Sequence, residues 1–195
     1  VRIHSGGGLI LEGFAIYNRL KQSSTSITVY IDGLAASMAS VIAMAGDKVI
    51  MPENAWLMIH KPWNNVNGNA DDMRRMAENL DGFEDNLVSI YQSKTGLPEE
   101  KIRKMLREET WINAKDALDL GFIDEISTPI EAAASIDLTQ FYKTPESFKQ
   151  QQLNHIKGIQ MIGNATTETA TNREEIKRVD EIKRFGGLAK MPDSD

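Results

Sequence analysis

The sequence predicts an α/β fold, and three observations carry that prediction. First, β-rich and helix-compatible stretches alternate along the first half. Ile27 to Ile31 passes through the small-residue turn Gly33 to Ser40, which leads into the apolar, helix-compatible stretch Ala39 to Ala45. Second, Val1-Arg2-Ile3 reads as the end of a strand. His4-Ser5-Gly6-Gly7-Gly8 then reads as a tight turn, and Leu9 to Gln22 as a helix with Leu11, Phe14, Ala15 and Tyr17 roughly on one face. Third, Ala70 to Lys94 carries Met73, Met76, Ala77, Leu80, Phe83, Leu87, Ile90 and Tyr91 at spacings of three and four, the mark of an amphipathic helix.

The elements follow in order: strand, helix, strand, helix, a strand pair, a long helix, a short helix, a helix and a strand. Lys48 to Met51 and Trp56 to Ile59 form the pair. Pro62 to Asn69 is Asn- and Gly-rich with poor β-branched alternation, so it reads as a mobile strand. Asp71-Asp72 favour the start of the long helix through its dipole, and Gly96-Leu97-Pro98 ends it. Thr144 to Lys157 suits a short helix with Pro145 in its first turn. Gly163 to Asn172 reads as a flexible linker, and Arg173 to Phe185 as a second short helix capped by Asn172 and Glu175.

Composition narrows the classes. A length of 195 residues suits one α/β domain plus a tail, and 41% hydrophobic residues can build a sizeable core. With no cysteine there is no disulfide framework, thiol nucleophile or zinc–thiolate site, and no metal or other cofactor is expected. The formal charge of -6 argues against nucleic acid as a partner. No apolar run approaches the about 18 residues of a membrane span, so a cytoplasmic protein is expected.

The chemistry concentrates in three places. Ser37 follows a β-rich run and opens a helix, where neighbouring N–H groups can hold an anion. His60 ends the apolar run Trp56 to Ile59 and can take a serine proton near neutral pH. The Gly6-Gly7-Gly8 turn lets the backbone close around a ligand and frees its N–H groups. Without a following Gly-Lys-Ser/Thr it is not a phosphate-binding P-loop, and Asp32 comes too early for a dinucleotide site. Together these suggest a serine nucleophile, its base and part of an oxyanion hole. His4 is the rival base beside the glycine turn, and His155 lies in the tail. Asp47 reads as a loop residue.

These motifs resemble those of the Clp peptidase (ClpP) family of self-compartmentalising serine proteases. The family's oxyanion turn is matched by Gly7-Gly8, its nucleophile motif by Ala35-Ala36-Ser37-Met38 and its base motif by Met58-Ile59-His60. Its C-terminal core signature is matched by Thr110-Trp111-Ile112-Asn113-Ala114 through Gly121-Phe122-Ile123-Asp124. The match covers roughly Val1 to Ile126.

The resemblance implies a ClpP/crotonase-like ββα superhelical core over residues 1–128, with a protruding handle helix at Ala70 to Lys94 that joins rings. A C-terminal extension, partly helical and partly flexible, then covers 129–195. The family's upstream strands and axial loops have no counterpart in these residues. Ser37, His60 and Glu109 would be the catalytic triad, with Glu109 standing where the family has aspartate and Glu108 beside it. The N–H groups of Gly8 and Met38 would form the oxyanion hole. Gly7, Leu9, Ile10, Pro62, Trp63, Asn64 and Asn65 would line the substrate. The implied partners are polypeptides and copies of the chain in a ring, heptameric or double. An unfoldase ATPase would be a partner in a general Clp-type peptidase.

The Trp111 signature with its acidic tandem, and the long tail, look more like phage-encoded members that process capsid or scaffold proteins, which could also act inside a procapsid. Two other classes stand beside a peptidase. One is a crotonase-type acyl-CoA enzyme, which would need a glutamate after the glycine turn, where Glu12 is a poor candidate. The other is a non-catalytic capsid-assembly factor.

Overall fold

The computed structural model describes residues 1–129, 137–139 and 141–154. The linker expected at Gly163 to Asn172, the helix expected at Arg173 to Phe185, His155, and the end of the helix expected at Thr144 to Lys157 lie outside the described residues. Val1–Lys149 form one compact unit and Gln150–Asp195 a second.

The first unit is the α/β fold the sequence predicts. Its elements are β1 (Arg2–Ser5), α1 (Ile10–Lys21), β2 (Thr28–Ala36), α2 (Met38–Ala43), β3 (Lys48–Pro52) and β4 (Trp56–Ile59). There follow α3 (Ala70–Thr95), α4 (Glu99–Arg107), β5 (Thr110–Asn113), α5 (Ala114–Asp119) and β6 (Glu125–Ser127). The central strand is β2. Its first residues, Thr28 to Tyr30, pair parallel with β3, and its last, Leu34 to Ala36, pair parallel with β4. β1 runs parallel beside both parts, with a register shift between Ile3 and Ser5. β6 pairs parallel with β3, while β5 pairs antiparallel with β4. Sharing one long strand between two shorter ones curls the sheet.

Burial explains the pattern. Val29 and Ile31 turn into the core and Tyr30 turns out, the period of two expected of a half-covered strand. From Leu34 to Ala36 burial is continuous, because here the strand is covered on both faces. Each fully buried aliphatic side chain such as Ile31 or Leu57 contributes roughly 1.5–3 kcal/mol. Asp47 lies in the loop before β3, as its sequence context predicts; its carboxylate accepts from the Ile27 N–H at 2.7 Å and ties the β3 approach to β2.

Helix α3 starts in a capping box: the Asn69 side chain accepts from the Asp71 and Asp72 N–H groups, and Asp72 accepts from the Asn69 N–H. It stops at Gly96, which is left-handed with φ of 70°. Only its C-terminal half is embedded, through Glu84, Leu87, Val88 and Tyr91, so the first half stands largely in solvent with Met73 exposed. Phe83 reaches Phe14 of α1 with ring centroids 6.4 Å apart. Among the described residues no helix is long and apolar enough to cross a membrane.

Two elements depart from the sequence reading. Thr110–Asn113 is a strand that local pattern did not announce, since its pairing with β4 rather than alternation makes it one. Residues 60–69 form no strand, consistent with the Pro62 and Asn/Gly content that left few β-forming residues.

Candidate active site

Ser37 sits between the end of β2 and the start of α2, in a conformation that only a tight turn demands. Its φ of 53° and ψ of -128° lie in a region non-glycine residues rarely occupy. The surroundings enforce it. The Ser37 N–H donates to the Met58 carbonyl at 2.9 Å, two residues before His60 on β4. The Ser37 carbonyl accepts from the Ser40 N–H at 3.0 Å and from the Ser40 hydroxyl at 2.6 Å. Ser40 has one hydroxyl proton and spends it there, so the buried Tyr91 O–H, 2.8 Å away, donates to Ser40 Oγ. Burial pushes the Tyr91 phenol far above its ordinary value, so it stays protonated.

The glycine turn presses on the serine from the other side. A Cβ on Gly7, whose φ is 97°, would lie 2.7 Å from the Ala36 carbonyl oxygen and 3.0 Å from the Met38 nitrogen. Glycine is thus required for close approach, and its N–H is held by Ser5 Oγ at 3.1 Å. Gly13 on α1 gives room in the same way to the Met38 side chain.

His60 Nε2 lies 2.8 Å from Ser37 Oγ, a hydrogen bond made across the sheet from the end of β4. The next residue is anchored twice. The Lys61 N–H donates to the Leu106 carbonyl at 3.1 Å, and its ammonium pairs at 2.6 Å with Glu84, a buried carboxylate that also meets Arg103 at 3.4 Å. Burial lowers the pKa of His60 below its ordinary value, and the charge of Glu109 opposes that shift. The ring is therefore neutral at pH 7 and can accept a proton. His4 stays on β1, and it is His60 that bonds Ser37.

Glu109 is buried and left-handed, with φ of 50°, in the turn between α4 and β5. Among the described residues its carboxylate accepts from Trp111 Nε1 at 3.3 Å and from the N–H groups of Tyr142 at 3.1 Å and Lys143 at 2.7 Å. No hydrogen bond joins it to His60 there; its influence on the ring is electrostatic. Its neighbour Glu108 caps α4 with an exposed side chain and lends its carbonyl to Lys143 Nζ at 2.5 Å.

A cavity of about 630 Å³ opens over the serine and histidine. Gly8, Leu9, Ile10, Met38, Pro62, Trp63, Asn64 and Asn65 line it, as does Glu12. Gly7 lies beneath, against the serine turn. Its size is that of a ligand cleft. Among the described residues no group of three or more His, Cys, Asp or Glu is placed to hold a metal ion. Sequence reasoning missed Tyr91, Ser40 and the donors on Glu109. Their spacing of 51, 33 and 34 residues leaves no local signal.

The comparisons with known proteins agree with this architecture. Residues 1–129 match the Clp protease family, and the chain belongs to it. It is 31% identical over 138 residues to an ATP-dependent Clp protease proteolytic subunit 1 of Protochlamydia amoebophila, covering 68% of this chain and 66% of that protein. It is 33% identical over 127 residues to an ATP-dependent Clp protease proteolytic subunit of Deinococcus radiodurans, covering 64% and 62%. The chain thus spans slightly less than two thirds of the length of these curated relatives.

Proposed function

We propose that the chain is a serine endopeptidase that cleaves peptide bonds by acyl transfer. The observation that carries this reading is the 2.8 Å bond between Ser37 Oγ and His60 Nε2 at the cavity, in a chain of the Clp protease family. Ser37 Oγ attacks the peptide carbonyl while His60 Nε2 takes its proton, which requires the tautomer protonated at Nδ1. The N–H groups of Gly8 and Met38 stabilise the oxyanion. The C–N bond then breaks, His60 returns the proton to the departing amine, and water hydrolyses the acyl-serine by the same relay. The nearby charge of Glu109 compensates the imidazolium as it forms. Leu9, Ile10, Pro62, Trp63, Asn64 and Asn65 hold the substrate chain along the cavity.

The catalytic unit in this reading is a ring of copies, a heptamer or a double ring, joined through the exposed half of α3. Its substrates are capsid or scaffold proteins of a phage, processed in the bacterial cytoplasm or procapsid; the Trp111 signature and the extension beyond residue 129 favour this. A general Clp-type peptidase fed by an unfoldase ATPase is the second reading, favoured by the two relatives, both proteolytic subunits of ATP-dependent Clp proteases. A crotonase-type enzyme would have no use for the Ser37–His60 bond, and an assembly factor would not need it either.

The test is a fluorophosphonate probe together with a fluorogenic peptide. Wild type is expected to label at Ser37 and cleave. Ser37→Ala is expected to do neither, and His60→Ala to lose a comparable amount of rate, because triad members act as a unit. Near-wild-type cleavage by either variant would sink the mechanism.

A further inference from the structure

The stretch Phe141 to Lys143 lies beyond the residues that match the family, yet it touches the candidate acid and base. Two consecutive backbone N–H groups, from Tyr142 and Lys143, meet the two oxygens of the Glu109 carboxylate: Oε2 at 3.1 Å and Oε1 at 2.7 Å. Lys143 Nζ adds a bond to the Glu108 carbonyl, so the same turn is gripped at its backbone as well. Phe141 is buried and presents its ring edge-on to His60, with centroids 6.1 Å apart, and to Trp111 at 5.5 Å. With Phe148 it packs against Ala36 and Met58, the residues just before the serine turn and two before His60.

This placement has a chemical reason. Glutamate carries one more rotatable bond than aspartate, so its carboxylate has more positions to choose from. A charge serves a histidine only if it is held at one distance and orientation. Two charge-assisted bonds from adjacent, rigid N–H groups remove that freedom.

We propose that Phe141–Lys143 is a positioning strap: its backbone N–H groups fix the Glu109 carboxylate, and the Phe141 ring fixes His60, so that efficient acyl transfer depends on a segment outside the family core. The proposal rests on the peptidase reading above, in which His60 is the base and Glu109 the acid. None of the strap residues is catalytic; they act through those two.

Full-length Lys143→Pro deletes one donor, Lys143→Ala keeps it, and Glu109→Gln weakens its acceptor. The readouts are kcat and KM on a fluorogenic peptide, the rate of fluorophosphonate labelling at Ser37, and thermal melting. Lys143→Pro is expected to lower kcat about 10-fold with KM little moved, and Lys143→Ala by no more than about 2-fold. In the Glu109→Gln background the Lys143→Pro effect should largely vanish, because coupled residues are non-additive.

Equal losses in both backgrounds, no difference between Lys143→Pro and Lys143→Ala, or a gain of activity would each overturn the strap. Phe141→Ala supplies a second arm that leaves both donors in place, and it decides the matter if Lys143→Pro does not fold. Among the described residues, the polar groups acting on the His60 ring are the Ser37 hydroxyl and the Glu109 carboxylate. Uncovering the ring relieves its burial, so kcat should fall and the acidic limb of the pH profile move to higher pH; an unmoved limb and kcat would overturn the strap. A wild type that neither labels nor cleaves overturns the peptidase reading and the strap with it. An active wild type with additive variants overturns the strap alone.

Discussion

Gly7→Ala tests how the serine turn is held. The added Cβ would stand 2.7 Å from both the Ala36 carbonyl oxygen and Ser37 Cβ, and 3.0 Å from the Met38 nitrogen, where ordinary contacts begin near 3.4 Å. Two of these neighbours are backbone, so relief requires the turn to shift by roughly 0.7 Å, a displacement of the size that lowers rates up to about 100-fold when it falls on reacting atoms. The φ of 97° adds strain of about 1–3 kcal/mol for a residue with a side chain. For a chain of this size that is a melting-point loss of roughly 2–4 °C per kcal/mol.

The assay is kcat/KM on a fluorogenic peptide, the fluorophosphonate labelling rate of Ser37, and a melting curve on the same preparation. Gly13→Ala is the comparison. Its Cβ would strike the Met38 side chain, whose end can swing aside, and its φ is ordinary, so it should lose much less. Wild-type labelling and melting in Gly7→Ala, or a larger loss in Gly13→Ala, would refute the idea that backbone contact at Gly7 sets the serine.

Two further outcomes follow from the polar contacts. Burial holds the His60 pKa down and Glu109 opposes it, so the base stays neutral as pH falls below its ordinary value and activity is lost only through the lowered pKa. Glu109→Gln removes the opposing charge, so the acidic limb of kcat/KM should move to still lower pH while kcat falls, by less than in Ser37→Ala; a limb that moves upward would contradict the assignment of Glu109. Tyr91→Phe removes the donor to Ser40 Oγ and leaves a buried acceptor unmade, which should cost about 1–2 kcal/mol in denaturant titration and lower kcat modestly; an unchanged midpoint would show that the Tyr91–Ser40 bond does not support the turn.

The parts of the site legible in the sequence are those that announce themselves locally. Ser37 and His60 each end an apolar run, and the glycine turn is three residues long. The limits of α3 are announced by Asp71-Asp72 at its start and Gly96 at its end, whereas the Asn69 cap that completes the start is seen only in the structure. What was not legible depends on distant partners. Thr110–Asn113 becomes a strand because β4 offers it a ladder. Glu109 takes a left-handed backbone that no glycine or asparagine signals. Its donors lie more than thirty residues further along, in a stretch that otherwise reads as the approach to a short helix.

The three tryptophans of the chain give this architecture an optical reading. Trp56 and Trp111 lie among Phe141 and Phe148, with ring centroids of 5.5 to 6.3 Å, and each is only partly accessible. Trp63 is 57% exposed at the rim of the cavity. Emission from the chain therefore has two sources in different surroundings: a red, quencher-accessible one that a ligand entering the cavity shields, and a bluer one tied to the aromatic cluster beside Glu109. Occupancy of the cleft and seating of the cluster can thus be followed separately in the unlabelled protein, with Trp63→Phe silencing the first and leaving the second.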